Sequence, residues 1–180
     1  MDSRSEKDSW GWLMEEKQIR YDIDGFPVIT EALISLLNEY PGLTDIDKIS
    51  FADLDEEFGI AMMPMSGAVV ETERTDITGH VKQVCLYPFY VSYREKDLSE
   101  HRKIKIKEWL DNLGKWLEKR EITINNNAHR LTVYPKLTGD RKILSIERQS
   151  PSYMEEEKED ATEDWVIYLS VRYQNEFDRY

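Results

Sequence analysis

The sequence predicts an α+β protein: a mostly antiparallel sheet, two main helices packed on one of its faces, and an N-terminal arm. In residues 80–94 and 164–174 apolar side chains occupy alternate positions, as one face of a strand requires. In residues 27–40 and 99–121 they recur at the three-and-four spacing of an amphipathic helix. Strand and helix patterns do not alternate regularly, which favours an antiparallel sheet with helices on one side.

The first element is a separate arm, residues 1–26, before a single domain at residues 27–180. Its apolar residues include Trp10, Trp12, Leu13 and Met14, set among many charges. The segment is too apolar for a solvated tail and too short to fold alone. We expect it to pack on its own domain or, alternatively, on a neighbouring subunit.

The domain then begins with a helix, which Pro27 suits as a first-turn residue and which Pro41-Gly42 ends. Asp24 or Gly25 can cap it. Short strands are expected at residues 48–51, 59–65 and 68–75, before the long strand at residues 80–94. Pro88 cannot donate to a strand ladder and predicts an edge or a bulge halfway along this strand.

The second helix is predicted from Ser99, its expected N-cap, to Glu121. Gly114 inside it indicates a close approach of another element. Residues 122–140, which contain Asn125-Asn126-Asn127, are interpreted as a long connection. Strands at residues 141–149 and 164–174 follow, and the acidic segment 155–164 is expected to join them.

Composition excludes several classes of function. The 180 residues carry a formal net charge of −12, which disfavours broad binding to nucleic acid or to anionic membranes. No apolar run is long enough to span a bilayer, and the N-terminus lacks the apolar core of a signal peptide. The single cysteine, Cys85, excludes an internal disulfide, so synthesis in the cytoplasm is the expectation.

We find no residue pattern that predicts catalysis, a cofactor or a metal. His80, His101 and His129 are not embedded in any recognisable signature, and no phosphate-binding glycine loop is present. Cys85 lies within a predicted strand, where a small buried hydrophobe is expected rather than a reactive thiolate. The sequence therefore indicates a protein without enzymatic activity.

Charge is distributed unevenly along the chain. Residues 98–150 carry 12 basic and 7 acidic side chains, whereas residues 151–180 carry 3 and 9. Two clusters stand out as candidate subunit-interface residues: Arg102, Lys103, Lys105 and Lys107; and Glu155, Glu156, Glu157, Glu159 and Asp160. They could be complementary surfaces of neighbouring copies; the alternative is that both are solvated faces.

The order of elements resembles the tail terminator, or tail completion, proteins of long-tailed bacteriophages and related phage-tail-like particles. The resemblance covers residues 27–180 and is carried by YPFYVSYR (87–94), EWLDNLGKWLE (108–118) and the closing aromatic strand WVIYLSVRYQNEF (165–177). The arm and residues 43–58 do not belong to the pattern.

This resemblance implies a structural subunit made in the bacterial host cytoplasm and built into a virion or phage-tail-like particle. It implies a ring, usually a hexamer, that caps the completed tail tube, ends tube growth and provides the head-joining or collar surface. The implied partners are other copies of the chain, the tail tube protein and, in some particles, a sheath or head-completion protein. Sequence-specific nucleic acid binding is not implied.

Two alternatives stay open at this point. One is a head-tail connector, or joining protein, of the same particle. The other is a monomeric acidic module that binds another protein. The oligomeric state in isolation and the genes that flank this one would distinguish these classes.

Overall fold

The computed structural model describes residues 18–179, and the expected packing of Trp10, Trp12, Leu13 and Met14 lies outside them. The chain order is α1 (Gly25–Leu37), β1 (Ile49–Phe51), β2 (Phe58–Pro64), β3 (Val69–Thr75), β4 (His80–Lys96), α2 (Glu100–Leu117), β5 (Ile122–Ile124), β6 (Asn127–His129), β7 (Arg141–Arg148), β8 (Tyr153–Glu157) and β9 (Thr162–Asp178). The predicted α+β class is confirmed.

The centre of the sheet is the antiparallel pair β4 and β9, each 17 residues long and in continuous register from His80–Asp178 to Lys96–Thr162. Each of the two outer edges of this pair is bonded to two shorter strands. β2 and β3 share the outer edge of β4, and β7 and β8 share that of β9. Strand β1 pairs in parallel with β2, which makes the sheet mixed. Strands β5 and β6 form a separate hairpin.

Both helices cover the same face of the sheet, as expected. Odd-numbered residues of β4 and β9 point to this face and form the buried core with Ile29 and Leu33 of α1. Thr30 of α1 hydrogen-bonds the hydroxyl of Tyr87 over 2.9 Å. On α2, a Cβ added at Gly114 would lie 2.8 Å from the side chain of Ile167 in β9, which confirms the predicted close approach.

The helix ends differ slightly from the prediction. Helix α1 begins at Gly25, and its N-cap Asp24 makes no side-chain cap bond. The carboxylate of Asp22 accepts from the Gly25 N–H instead, over 3.0 Å. Helix α2 begins after Ser99, whose hydroxyl accepts from the Arg102 N–H as the prediction required. It ends at Leu117 rather than Glu121.

The position of Pro88 corrects one prediction. Pro88 lies in a central strand, opposite Ser170 of β9, and not on an edge. Along the other side of β4, strand β2 ends at Pro64 and β3 begins at Val69, so the neighbouring strand changes beside Pro88. The Pro88 carbonyl accepts from the Met65 N–H over 3.1 Å. The N–H that proline lacks would point to the same side, between the end of β2 and the start of β3, where no strand needs it as a donor.

Two connections contain structure that the sequence analysis missed. The acidic segment 155–164 is not a loop: strand β8 includes Glu155 to Glu157, and β9 already begins at Thr162. Asn125 and Asn126 both have positive φ and form the two-residue turn of the β5–β6 hairpin. Asparagine tolerates this conformation, so the Asn-Asn pair was a signal for a hairpin.

Residues 18–24 belong structurally to the domain. Tyr21 forms an antiparallel bridge to Val69. The Val70 N–H donates to the Arg20 carbonyl, and the Asp22 N–H donates to the Ala68 carbonyl, each over 2.8 Å. This segment therefore covers part of the free edge of β3.

Candidate interaction surfaces

The predicted basic cluster lies at one end of the molecule, which we call the charged end. It comprises the end of β4 (residues 94–96), the first half of α2 and the β8–β9 turn (residues 158–161). Each basic side chain of the cluster already has a carboxylate partner in the same chain: Arg102–Glu95, Lys103–Glu163, Lys105–Glu108 and Lys107–Asp111.

Arg102 is the most firmly held of the four. Its guanidinium donates to both carboxylate oxygens of Glu95, over 2.8 to 3.1 Å, and to the hydroxyl of Tyr93 over 2.9 Å. The Glu95 contacts raise the pKa of Arg102 still further above its already high usual value. A partner carboxylate would have to compete with these bonds.

Lys103 connects α2 to the start of β9 through the buried carboxylate of Glu163. The bond to Glu163 is the main reason that the pKa of Lys103 is raised. Lys107 bonds Asp111 over 2.8 Å, and Asp111 in turn accepts from the N–H and hydroxyl of Ser152, just before β8.

The predicted acidic cluster lies at the same end. Glu155, Glu156 and Glu157 lie on β8, whose five residues are all exposed, while Glu159 and Asp160 form the β8–β9 turn. A contact between the basic cluster and a neighbour's acidic segment would replace existing ion pairs, so the gain in free energy would be small. That contact remains a prediction.

A second surface is the face of the sheet opposite the helices, which we call the outer face. Even-numbered residues of β4 and β9 point to it, and neither helix covers it. Tyr90 and Tyr168 pair across the two strands with ring centroids 5.2 Å apart, and Tyr153 of β8 stacks on Tyr168 at 6.1 Å. The Tyr168 hydroxyl donates to Glu155.

Aliphatic residues extend this aromatic centre. Met63 of β2 lies opposite Tyr90, and Leu86 and Pro88 continue the strip along β4. All three are half-buried although no helix packs on them. At a strand spacing of about 4.8 Å and a rise of about 3.3 Å per residue, four strands over ten residues span about 600 Å².

An ion pair lies at each end of the outer face. Arg94 holds Asp164 through two bonds of 2.7 Å at the charged end. Arg172 bonds Glu71 over 2.8 Å at the opposite end. An apolar, tyrosine-rich centre inside a polar rim is the usual anatomy of a protein interface.

A third surface is a groove of about 330 Å³ at the charged end, between α2, the segment after α1 and the β5–β6 hairpin. Its walls combine aromatic and polar side chains: the rings of Tyr40 and Tyr93 are buried and that of Trp109 is half-buried. The polar side chains are those of Arg102, Lys105, Glu108, Asn112, Thr123 and Asn125. The Trp109 ring meets the rings of Tyr40 and Tyr93 edge-on, with centroids 5.1 and 5.3 Å away. The groove could not be predicted from the sequence, because these rings come from three separate segments of the chain.

The most buried charged cluster has a structural role. The Asp22 carboxylate accepts two bonds from Arg141, of 2.8 and 3.0 Å, and one of 2.8 Å from the Tyr173 hydroxyl. Burial raises the pKa of Asp22, but these bonds outweigh it and hold the pKa below its usual value. Cys85 lies beside Tyr173 in the core, and burial raises the pKa of this thiol to about 11. The expectation of a buried cysteine is confirmed.

The three histidines are not brought together. His80, at the start of β4, bonds Asp178 over 2.7 Å, and this bond raises its pKa. His101 lies in the first turn of α2 and His129 at the end of β6. Within residues 18–179, no three His, Cys, Asp or Glu side chains are grouped so as to hold a metal ion.

In the same part of the chain, no helix has the length and apolarity needed to cross a membrane. Comparison with models of known protein families and with curated proteins finds no match to this chain.

Proposed function

We propose that this protein is a structural subunit that forms a ring on the end of a completed phage-type tail tube, stops tube growth and offers a surface for the head or collar. The observation that carries the proposal is the outer face. A face of about 600 Å² approaches the roughly 800 Å² that each partner buries in a standard stable interface. Its apolar centre supports a role in assembly.

The asymmetry of the subunit supports a ring rather than a face-to-face dimer. The outer face differs in composition from the helical face and from the charged end, so a neighbour can bind it through a different surface. Contacts between unlike surfaces generate rings when the rotation closes. Because the order of elements resembles that of tail terminators, we propose a phage-type tail tube as the assembly that the ring caps.

The proposal is tested by deleting the gene from the genome that carries it and measuring tail tubes by electron microscopy. Without the cap, tubes are expected to grow beyond their normal length. Tubes of normal length without heads would assign the protein as a head-tail connector instead. Normal particles would exclude both roles and favour the monomeric acidic module.

Complementation with variants then tests the outer face. Tyr90→Lys places a charge at the centre of this face, whereas Ile77→Lys changes a fully exposed turn residue. Both chains should fold, which thermal unfolding checks. We expect Ile77→Lys to restore tube length and Tyr90→Lys to fail. Equal rescue by the two variants would refute the outer face as the assembly surface.

A further inference from the structure

A cleft of about 450 Å³ lies between the end of α2, the connection 130–140 and the first residues of β7. We call it the basic cleft, because Lys119, Lys136 and Lys142 line it and no acidic side chain of residues 18–179 does. In this part of the chain none of the three lysines has a carboxylate at ion-pair distance, whereas every member of the basic cluster on α2 is paired. The cleft therefore carries positive charge that the subunit itself does not neutralise.

Tyr134 fixes the shape of the basic cleft. Its hydroxyl donates to the Leu117 carbonyl over 2.9 Å and accepts from the Ile146 N–H over 3.3 Å, so the connection is held against both α2 and β7. The ammonium group of Lys119 lies 4.1 Å from the centre of the Tyr134 ring. This cation–π contact orients the charge of Lys119 without neutralising it.

The open surface beside the lysines is mostly apolar. Val133 is 70% exposed, and Pro135 and Leu137 are half-buried. Arg141 also lines the cleft, but its guanidinium is already bonded to Asp22. A segment that carries an apolar side chain close to carboxylates would match this lining in both polarity and charge.

We propose that the basic cleft binds strand β8 of a second copy of this chain. The bulge in β8 places Met154 and Glu157 on the same side of the strand, opposite Trp165 and Glu163 of β9. Met154 is 41% exposed, and Glu157 is also exposed. An apolar side chain and a carboxylate are thus presented together. The inference rests on the proposed function, since it supplies a contact between neighbouring subunits of the ring.

Two further observations favour β8 over other acidic parts of the chain. Glu157 and Glu159 have no basic partner at ion-pair distance within residues 18–179, so binding the lysines would not break existing pairs. The other strongly acidic segment, residues 45–57, carries its carboxylates on irregular backbone outside β1. Ordering such a segment costs conformational entropy that a preformed strand does not lose.

The cleft and β8 of one copy cannot meet. Both lie along the same edge of β9, where Ile143 is opposite Tyr173 and Met154 is opposite Trp165. Tyr173 and Trp165 are eight residues apart, or about 26 Å at about 3.3 Å per residue. Because β7 and β8 are both bonded to β9, this separation is fixed. The contact joins unlike surfaces of two copies, and such contacts can repeat around a closed ring.

Disulfide crosslinking of the purified full-length chain tests the contact. Two differently tagged variants, Val133→Cys and Met154→Cys, are mixed at low ionic strength and oxidised. We expect a dimer that carries both tags, and the native Cys85 is buried and does not compete. The control replaces Val133→Cys with Ile77→Cys, a fully exposed residue of the β3–β4 turn across the sheet, and should give no such dimer.

Exchange of charges tests the occupant of the cleft. Lys136→Glu combined with Lys142→Glu turns attraction into repulsion and should weaken self-association about tenfold or more, as measured by analytical ultracentrifugation at low ionic strength. Adding Glu157→Lys and Glu159→Lys to the same chain reverses both sides of the contact. This exchange should restore association to within about threefold of the unaltered chain.

The matched control is Lys48→Glu combined with Arg74→Glu, which makes the same change in net charge at two exposed residues outside the cleft. It should change association less than about threefold, because isolated exposed charges contribute little. Melting temperatures check that every variant folds.

The outcomes separate this inference from the proposed function. No dimer beyond the control, a monomeric chain at low ionic strength, or no rescue by the exchanged charges would overturn the β8 contact while leaving the cap intact. Rescue by Asp53→Lys and Asp55→Lys instead would assign the cleft to the acidic segment 45–57 and would also overturn it. Tubes of normal length after gene deletion would overturn the cap itself, whatever the crosslinking shows.

Discussion

The Asp22 carboxylate should contribute more to stability than any exposed charge of the chain. The side chains of Asp22 and Arg141 are 6% and 15% exposed, so Asp22→Ala leaves a guanidinium largely buried without its partner. Breaking such a pair from one side costs about 3–5 kcal/mol. Because Arg141 keeps some access to water, we expect about 3 kcal/mol.

Thermal unfolding followed by circular dichroism measures this loss. For a chain of this size, 1 kcal/mol shifts the melting temperature by about 2–4 °C, so Asp22→Ala should lower it by about 6–12 °C. Asp24→Ala is the matched control: Asp24 is exposed and makes no side-chain cap bond, so its loss should cost about 0.5 kcal/mol or less.

A double variant isolates the pair. In Asp22→Ala combined with Arg141→Met no charge is left unpaired, so the loss should be smaller than the sum of the two single losses. Additive losses, or a shift in Asp22→Ala no larger than in Asp24→Ala, would refute the view that this ion pair anchors residues 18–24 to the sheet.

The pH dependence of the same group has a definite sign. The pKa of Asp22 is lower in the folded protein than the usual 3.8. Its contribution is therefore fully present above that pH and is lost as the pH falls through the folded-state pKa. The difference in stability between the unaltered chain and Asp22→Asn should accordingly shrink only under strongly acidic conditions.

Three further changes test local features of the fold by thermal or urea unfolding. Gly114→Ala should lower the stability of the folded protein by about 1 kcal/mol or more, because the added Cβ would lie 2.3 Å from Cδ of Arg148. This steric cost exceeds the gain in helix propensity, so a more stable variant would contradict the prediction. Ser99→Ala removes the N-cap bond of α2 and should cost about 1 kcal/mol, and no loss would show that the cap is dispensable. The pKa of His80 is raised above its usual 6.5, chiefly by the bond to Asp178, so the stability lost in His80→Gln should be fully present below pH 6.5 and fade as the pH rises through the folded-state pKa. A difference that does not change with pH would contradict this.

Long periodic segments were predictable because one face of each is buried. The patterns of β4, α2 and β9 predicted that these elements exist, their type and the face that each buries. Their observed ends differ from the predicted ends by a few residues. Strand β8 was not predictable in this way. All five of its residues are exposed, so no alternation marks it, and it forms because β9 offers a free edge beside Tyr153 to Glu157.

The candidate surfaces were harder to predict than the fold. Sequence clustering identified Arg102, Lys103, Lys105 and Lys107 correctly as neighbours on one helix, but it could not show that carboxylates from β4 and β9 already pair with two of them. The groove and the outer face depend on which strands become neighbours. Which strands become neighbours depends on pairing between segments that are distant in sequence, and the periodic pattern of a single segment carries no information about this pairing.

The pairing of β4 with β9 also constrains how the chain is made. The two strands are separated by α2 and four shorter strands, and residues as far apart as His80 and Asp178 must meet. Helices and short hairpins can form early, but the centre of the sheet cannot close before Thr162–Asp178 has left the ribosome. Contacts this distant in sequence also slow folding. Until then β4 lacks the strand that pairs along its whole length, and an unpaired strand edge of this kind is prone to aggregation.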